Sequence, residues 1–159
     1  MLSAPRSGRL RIRCYRTSVP SAAPPRVVID TNVLFAGLTK QGGAAGLIID
    51  AWRAGLLRMY VSNALAYEYA DVLSRKLSAA RWQRIKSVLG ALLMQAEFAP
   101  IYSSWRPSSP DPGDDHVIDC ATNAGATVIS SNVRDFQLAK RTLGLQVMTP
   151  VEFIPQLTA

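Results

Sequence analysis

Acidic side chains recur where a parallel α/β fold would expose them at one end. Asp30 directly follows the apolar run Val27, Val28 and Ile29, and Thr31 and Asn32 continue the turn. Glu68 falls in the second turn of the helix expected behind the segment LRMYVS. Asp114 and Asp115, with Asp111 just before them, open another helix, and Asp119 lies one turn further on. Ser130, Ser131, Asn132 and Asp135 follow the run TVIS. Ligands of parallel sheets bind beyond the carboxyl ends of the strands, so polar residues at those ends carry the functional information. Converging carboxylates repel one another unless a cation sits between them, and an oxygen-only donor set suits Mg²⁺ or Mn²⁺. Such ions activate water and steady the leaving oxygen of a phosphodiester. Any one of Asp111, Asp114 and Asp115 is equally well a turn or helix-capping residue, and Glu68 a solvated one. Asp30 is harder to dismiss, because an acid closing a wholly apolar strand has no solvated face to occupy.

The elements needed to hold these residues are legible in the pattern. A buried strand begins at RVVID, behind Pro24 and Pro25. Helical periods follow over Gly43 to Gly55, Ser62 to Lys76 and Ser78 to Phe98, with the strand LRMYVS after the first. Ser62 stands at an N-cap, with Leu65, Tyr69, Val72, Leu73 and Leu77 as the apolar stripe behind it. Ile85, Val88, Leu89, Leu92 and Leu93 form a second stripe. After a loop rich in Pro, Ser and Asp come a helix from about Asp114 to Ala124, the strand ATVIS, a helix through Phe136 to Leu143, the strand LQVMT and a short helix opened by Pro150. Alternating strands and helices predict an α/β fold, a three-layer α/β/α sandwich around a mainly parallel sheet.

Composition narrows the class. The 159 residues suit one compact domain, and 48% hydrophobic with 18% charged residues is globular material. The formal charge is +7, yet Arg6, Arg9, Arg11, Arg13, Arg16 and Arg26 supply six of the positive charges and no acid answers them; from Val27 onward 12 basic residues face 11 acidic ones. Residues 1–25 therefore read as a disordered basic leader, and 26–157 as the folded domain. Two cysteines and one histidine cannot complete a structural zinc site, and no apolar run spans a bilayer. No P-loop and no GxSxG occur. QGGAAG misses the dinucleotide fingerprint, and Asn32 and Leu34 break the aspartate-based phosphatase motif. His116 lies in an acidic run as a solvated helix residue, and Cys120 reads as a small core residue.

Together VVIDTNVLFAGL, LAYEYADVL, DPGDDHVIDCATNAGATVIS, NVRDF and TPVEFI resemble the PIN domain, more narrowly the branch found as toxins of bacterial toxin–antitoxin modules. The resemblance spans about Arg26 to Leu157. It implies a metal-dependent endoribonuclease whose acids bind Mg²⁺ or Mn²⁺. By position, Asp30 is similar to the first-strand acid, Glu68 to the helix acid, Asp115 to the third acid and Asp119 to an extra acid of this branch. Thr31 and Asn32 match the polar residues that orient the first acid. The expected place of the fourth acid holds Asn132, which contributes no negative charge, and Asp135 is the natural substitute. Arg134 is closest in sequence to the site as a contact for RNA phosphate, with a solvated surface arginine as the equal alternative. The resemblance further implies a small antitoxin partner, a homodimer and no membrane association. The location is then cytoplasmic, or an organelle if the Arg- and Ser-rich leader is a transit peptide.

Two other functions compete: a catalytically weak PIN-like module that binds RNA or protein, for which Asn132 is the motive, and a divalent-metal phosphatase acting on small esters. If the leader is dispensable, deleting residues 1–25 leaves the initial rate of metal-dependent cleavage of a mixed RNA pool largely intact. Collapse of that rate would return the basic segment to the site.

Overall fold

A computed structural model describes residues 23–104, 109 and 112–158; the expected leader, apart from 23–25, and Asp111 lie outside the described residues. The strands are β1 (Arg26–Ile29), β2 (Arg58–Val61), β3 (Glu97–Phe98), β4 (Thr127–Ile129) and β5 (Val147–Met148). They form one sheet in the order β3-β2-β1-β4-β5, and every pairing is parallel. The helices are α1 (Thr31–Thr39), α2 (Gly43–Arg53), α3 (Asn63–Lys76), α4 (Ala79–Gln95), α5 (Pro112–Ala124), α6 (Gln137–Leu143) and α7 (Pro150–Phe153), with 3-10 turns at Val133–Phe136 and Ile154–Leu157. The three-layer, mainly parallel architecture expected from the sequence is the one observed.

Val27, Val28 and Ile29 are completely buried because β1 is the middle strand. The chain leaves β1 toward β2 on one side, whereas β4, on the other side of β1, leads away to β5. Right-handed crossovers then place α1 to α4 on one face and α5 and α6 on the other. The crevice between the carboxyl ends of β1 and β4 is the switch point of the topology, where α/β sheets place their ligands. Asp30 and Ser130 are the residues immediately beyond these two ends.

Three local features differ from the sequence expectation. Thr31 and Asn32 begin helix α1 instead of continuing a turn, with Asp30 as its N-cap residue. The segment read as one helix to Phe98 stops at Gln95, and Glu97 and Phe98 add a fifth, edge strand to β2. Arg58 clamps that edge through both oxygens of Glu97, with the shortest contact at 2.7 Å. The helix expected through Phe136 to Leu143 begins at Gln137, and Phe136 ends a 3-10 turn that starts at Val133. The Ser62 cap is as expected, its hydroxyl accepting from the Leu65 N–H at 3.1 Å. Cys120 is fully buried in the core. Thr149 and Glu152 close a capping box on α7. Among the described residues no helix is long and apolar enough to cross a membrane.

Helix α1 carries the polar end of β1, so its seat against α2 matters to the site. The seat depends on Gly37: a Cβ there would stand 2.5 Å from Ile49 Cγ1 and 2.8 Å from the Ala45 carbonyl oxygen, and a helix backbone cannot yield as a side chain does. Gly46, in α2, has open space where its Cβ would be. Alanine therefore has opposite signs at the two positions. In urea denaturation Gly37→Ala should destabilise by about 1–3 kcal/mol, as overpacking does. Gly46→Ala should stabilise by roughly 0.5–1 kcal/mol, by restricting the unfolded chain and favouring helix.

Candidate active site

Asp30 is only 4% exposed. Its N–H is spent on the Ile129 carbonyl at 2.9 Å, continuing the ladder between β1 and β4. That bond leaves the carboxylate at the mouth of the crevice, where Oδ2 accepts from the Ser130 hydroxyl at 2.7 Å. Ser130 is itself fixed: its N–H donates to the Met148 carbonyl, and its Oγ accepts from the Asn132 N–H at 3.0 Å. Burial raises the Asp30 pKa above the ordinary carboxylate value. The Ser130 hydroxyl and the backbone N–H groups of Thr31 and Asn32 favour the charge, and the nearby charge of Asp135 opposes it. Those two N–H groups act by proximity, since neither makes a capping hydrogen bond to the Asp30 side chain.

Asp135 stands in the 3-10 turn after β4, and its Oδ2 accepts from the Asn132 side-chain amide at 2.5 Å. Asn132 thus donates to the acid beside it, and Asp135 is the carboxylate whose charge reaches Asp30. Arg134 is exposed on the same turn. On the other side of β1, the Tyr69 hydroxyl donates to the Ile29 carbonyl, tying α3 to the residue before Asp30. Burial chiefly, with the charges of Cys120, Asp30 and Glu68, drives the Tyr69 pKa well above its usual value, so the hydroxyl stays a donor. Glu68, adjacent to Tyr69 on α3, is half-buried.

Helix α5 contributes the remaining acids. Asp115 and Asp119 are both buried and four residues apart on one helix face. The Ser104 hydroxyl donates to Asp119 Oδ2 at 3.3 Å. The Asn123 amide group donates to the Asp119 and Ser103 carbonyls, and its oxygen accepts from the N–H groups of Tyr102 and Ser103, mooring the preceding segment on the helix. Burial foremost, together with Asp119, pushes the Cys120 thiol up to about 12, so it is no nucleophile.

Hydrogen bonds and the charge of Asp135 therefore bring Asp30, Ser130, Asn132 and Asp135 into one cluster, and Glu68 is next in sequence to Tyr69, whose hydroxyl bonds the Ile29 carbonyl. Thr31 and Asn32 do not orient Asp30 with their side chains: the Thr31 hydroxyl is buried without a hydrogen-bond partner, and Asn32 is exposed. Ser130 does that work. Its signal in the sequence was a polar residue ending a strand, but its partner lies 100 residues away. Tyr69, read as part of an apolar stripe, does belong to the core, yet its hydroxyl serves the site.

A sequence model of the PIN domain matches residues 26–134. The chain belongs to the PIN domain family. No curated protein sequence matches it at a significant level. Among solved structures, this PIN domain is similar in fold to VapBC2 from Rickettsia felis, bound to a DNA fragment from its promoter, at 14% identity and TM-score 0.56, covering 78% of this chain and 98% of that one. FitAcB from Neisseria gonorrhoeae matches at 16% identity and TM-score 0.56, covering 79% and 98%. VapBC-1 from nontypeable Haemophilus influenzae matches at 15% identity and TM-score 0.56, with the same coverage.

In this PIN domain the donor chemistry fits a hard divalent ion: carboxylates and one orphaned buried hydroxyl at Thr31. No lysine or arginine among the described residues forms an ion pair with Asp30. The side-chain spacing is looser than the chemistry, because among the described residues no three acidic, histidine or cysteine side chains converge closely enough to hold an ion.

An ionised Asp30 therefore costs stability. Its folded pKa is raised above the unfolded value, so in the window between them the native state keeps a proton that the unfolded chain has lost. Stability falls as pH rises through that window, and the loss is complete above the folded pKa. Asp30→Asn keeps an oxygen for Ser130 and removes the charge. In EDTA at neutral pH the variant should gain roughly 1 kcal/mol, a Tm about 3 °C higher, and the gain should vanish in acid. A variant less stable than wild type at neutral pH would refute the account.

Proposed function

We propose that this PIN domain is a metal-dependent endoribonuclease and the toxin of a toxin–antitoxin module. The observation that carries the reading is the buried Asp30, held by Ser130 at the switch point with the Asp135 charge in reach and, among the described residues, no lysine or arginine in ion pair with it. Asp30 and Asp135, with Glu68, Asp115 and Asp119 from the facing helices, are the residues that would hold Mg²⁺ or Mn²⁺. When bound, such an ion supplies Lewis-acid activation of water and of the phosphodiester.

The chain's own residues do the rest. Ser130 fixes the rotamer of Asp30, and the Asn132 amide fixes that of Asp135, so two carboxylates are oriented before substrate arrives. Tyr69 holds α3, and with it Glu68, against the end of β1. Arg134, exposed on the same turn, would contact RNA phosphate, which contributes affinity without sequence information. The solved relatives in fold include VapBC and FitAB assemblies, which supports a small antitoxin as partner, and the family resemblance supports a homodimer.

The competing reading is a module that binds RNA or protein without cutting, favoured by the absence of a closed carboxylate cluster among the described residues. Cleavage of a mixed RNA pool in Mg²⁺, Mn²⁺ and EDTA decides between them. The nuclease reading expects metal-dependent cleavage that Asp30→Asn abolishes and Ser130→Ala lowers by about 10–100-fold, the usual effect of removing a group that orients a ligand. It also expects Mn²⁺ to raise the Tm of wild type and not of Asp30→Asn, a readout independent of activity. RNA left intact in both metals, with no thermal shift, would leave only the binding module.

A further inference from the structure

Beside the carboxylates, on the exposed side of α3, lies a depression of about 320 Å³ lined by Ala64, Tyr67, Glu68, Asp71, Gly113 and His116. A second, of about 290 Å³, is lined by Tyr67, Ala70, Asp71, Ser74 and Trp82. Tyr67 and Asp71 line both, so the two form one track along α3 with Tyr67 at its middle. Tyr67 is 75% exposed, which burial does not explain for an aromatic side chain on a helix whose inner face is already filled by Leu65, Tyr69 and Leu73.

We infer that this track holds an unpaired nucleobase of the RNA, stacked on the Tyr67 ring with His116 as the neighbouring wall. The inference rests on the ribonuclease reading and deepens it, because it names the side chain that would hold a base beside the cut. Among the described residues neither depression has a lysine or arginine in its lining, Asp71 is paired with Arg75 at 3.0 Å, and the exposed Tyr67 ring is the flat surface the track offers. A base is uncharged, presents N–H donors to carboxylate oxygens and has a flat face for an aromatic ring. Glu68 belongs both to the candidate ion-binding set and to the wall of the track, so a phosphate held at the carboxylates leaves its attached nucleoside at this groove. The inner end is closed by Gly113 and His116 of α5, the helix that carries Asp115 and Asp119.

The test is fluorescence anisotropy of the full chain with a short fluorescein-labelled single-stranded RNA in Ca²⁺, followed by steady-state cleavage in Mn²⁺. Tyr67→Ala should weaken binding by roughly 5–30-fold, raise KM with little change in kcat, and leave Tm unchanged, and Tyr67→Trp should restore affinity. An abasic nucleotide at one position of the RNA should erase the difference between wild type and Tyr67→Ala. Equal affinity of the two proteins, or the same loss with every abasic RNA, overturns the inference. So does a Tyr67→Ala variant that changes sedimentation mass and not RNA affinity, which would make the track a protein interface. If wild type cuts RNA and Tyr67 is indifferent, only the base site falls; if wild type binds through Tyr67 and never cuts, only the nuclease reading falls; if wild type neither binds nor cuts, both fall.

Discussion

A carboxylate at the end of the central strand must be buried and yet ionisable, and the surrounding structure meets that constraint in a specific order. The Asp30 backbone is committed to β4 through its N–H, so the side chain cannot swing away from the crevice without breaking the sheet. Desolvation then disfavours its charge, and one neutral donor, Ser130, offsets part of that cost. A lysine in place of Ser130 would neutralise the site and leave nothing for a divalent ion. A hydroxyl holds the carboxylate in position while leaving its charge available.

The same logic extends outward. Asn132 is neutral as well, and it steadies Asp135 without cancelling it. Tyr69, on the opposite side, takes no part in the carboxylate charge but bonds the carbonyl one residue upstream, so α3 follows any movement of β1. Asp30, Asp135 and Asp119 each accept a hydrogen bond from an uncharged donor, respectively Ser130, Asn132 and Ser104. The buried side chains of Ile29, Tyr69, Ile118 and Phe136 are each next in sequence to an acidic position and anchor it.

How much of this was legible in the chain depends on the range of the interaction. Asp30 stood out because β1 is covered on both faces, which writes an unbroken apolar run ended by an acid. The Ser62 cap stood out because capping is a three-residue event. Helix α1 was not legible: Val33, Leu34, Phe35 and Ala36 carry no helical stripe, and Gly37, a poor helix former, is there for the approach of α2. Strand β3 was not legible either, since two exposed residues become a strand only because β2 offers an edge. Asn132 looked like the loss of an acid when judged by position alone. Its hydrogen bond to Asp135 makes it the partner of an acid, and that distinction requires the curl of the 3-10 turn, which no spacing rule contains.

Charge also has to be considered by place. The chain total of +7 comes almost entirely from its first 26 residues, whereas the end of the sheet and the adjoining face of α3 gather Asp30, Glu68, Asp71, Asp115, Asp119 and Asp135. On the proposed reading, RNA approaching that end meets mostly carboxylates, which disfavour its phosphates. A bare acidic site of this kind would exclude its own substrate backbone, so the proposed activity requires a cation at the switch point for electrostatic reasons before any question of water activation arises. On the proposed reading the two parts of a nucleotide would then be sorted: phosphate goes to a recruited ion or to the Arg134 guanidinium, and the base goes to the exposed aromatic ring. If both proposals hold, a base locked in a duplex would not reach Tyr67 while its phosphate sat beside Asp30.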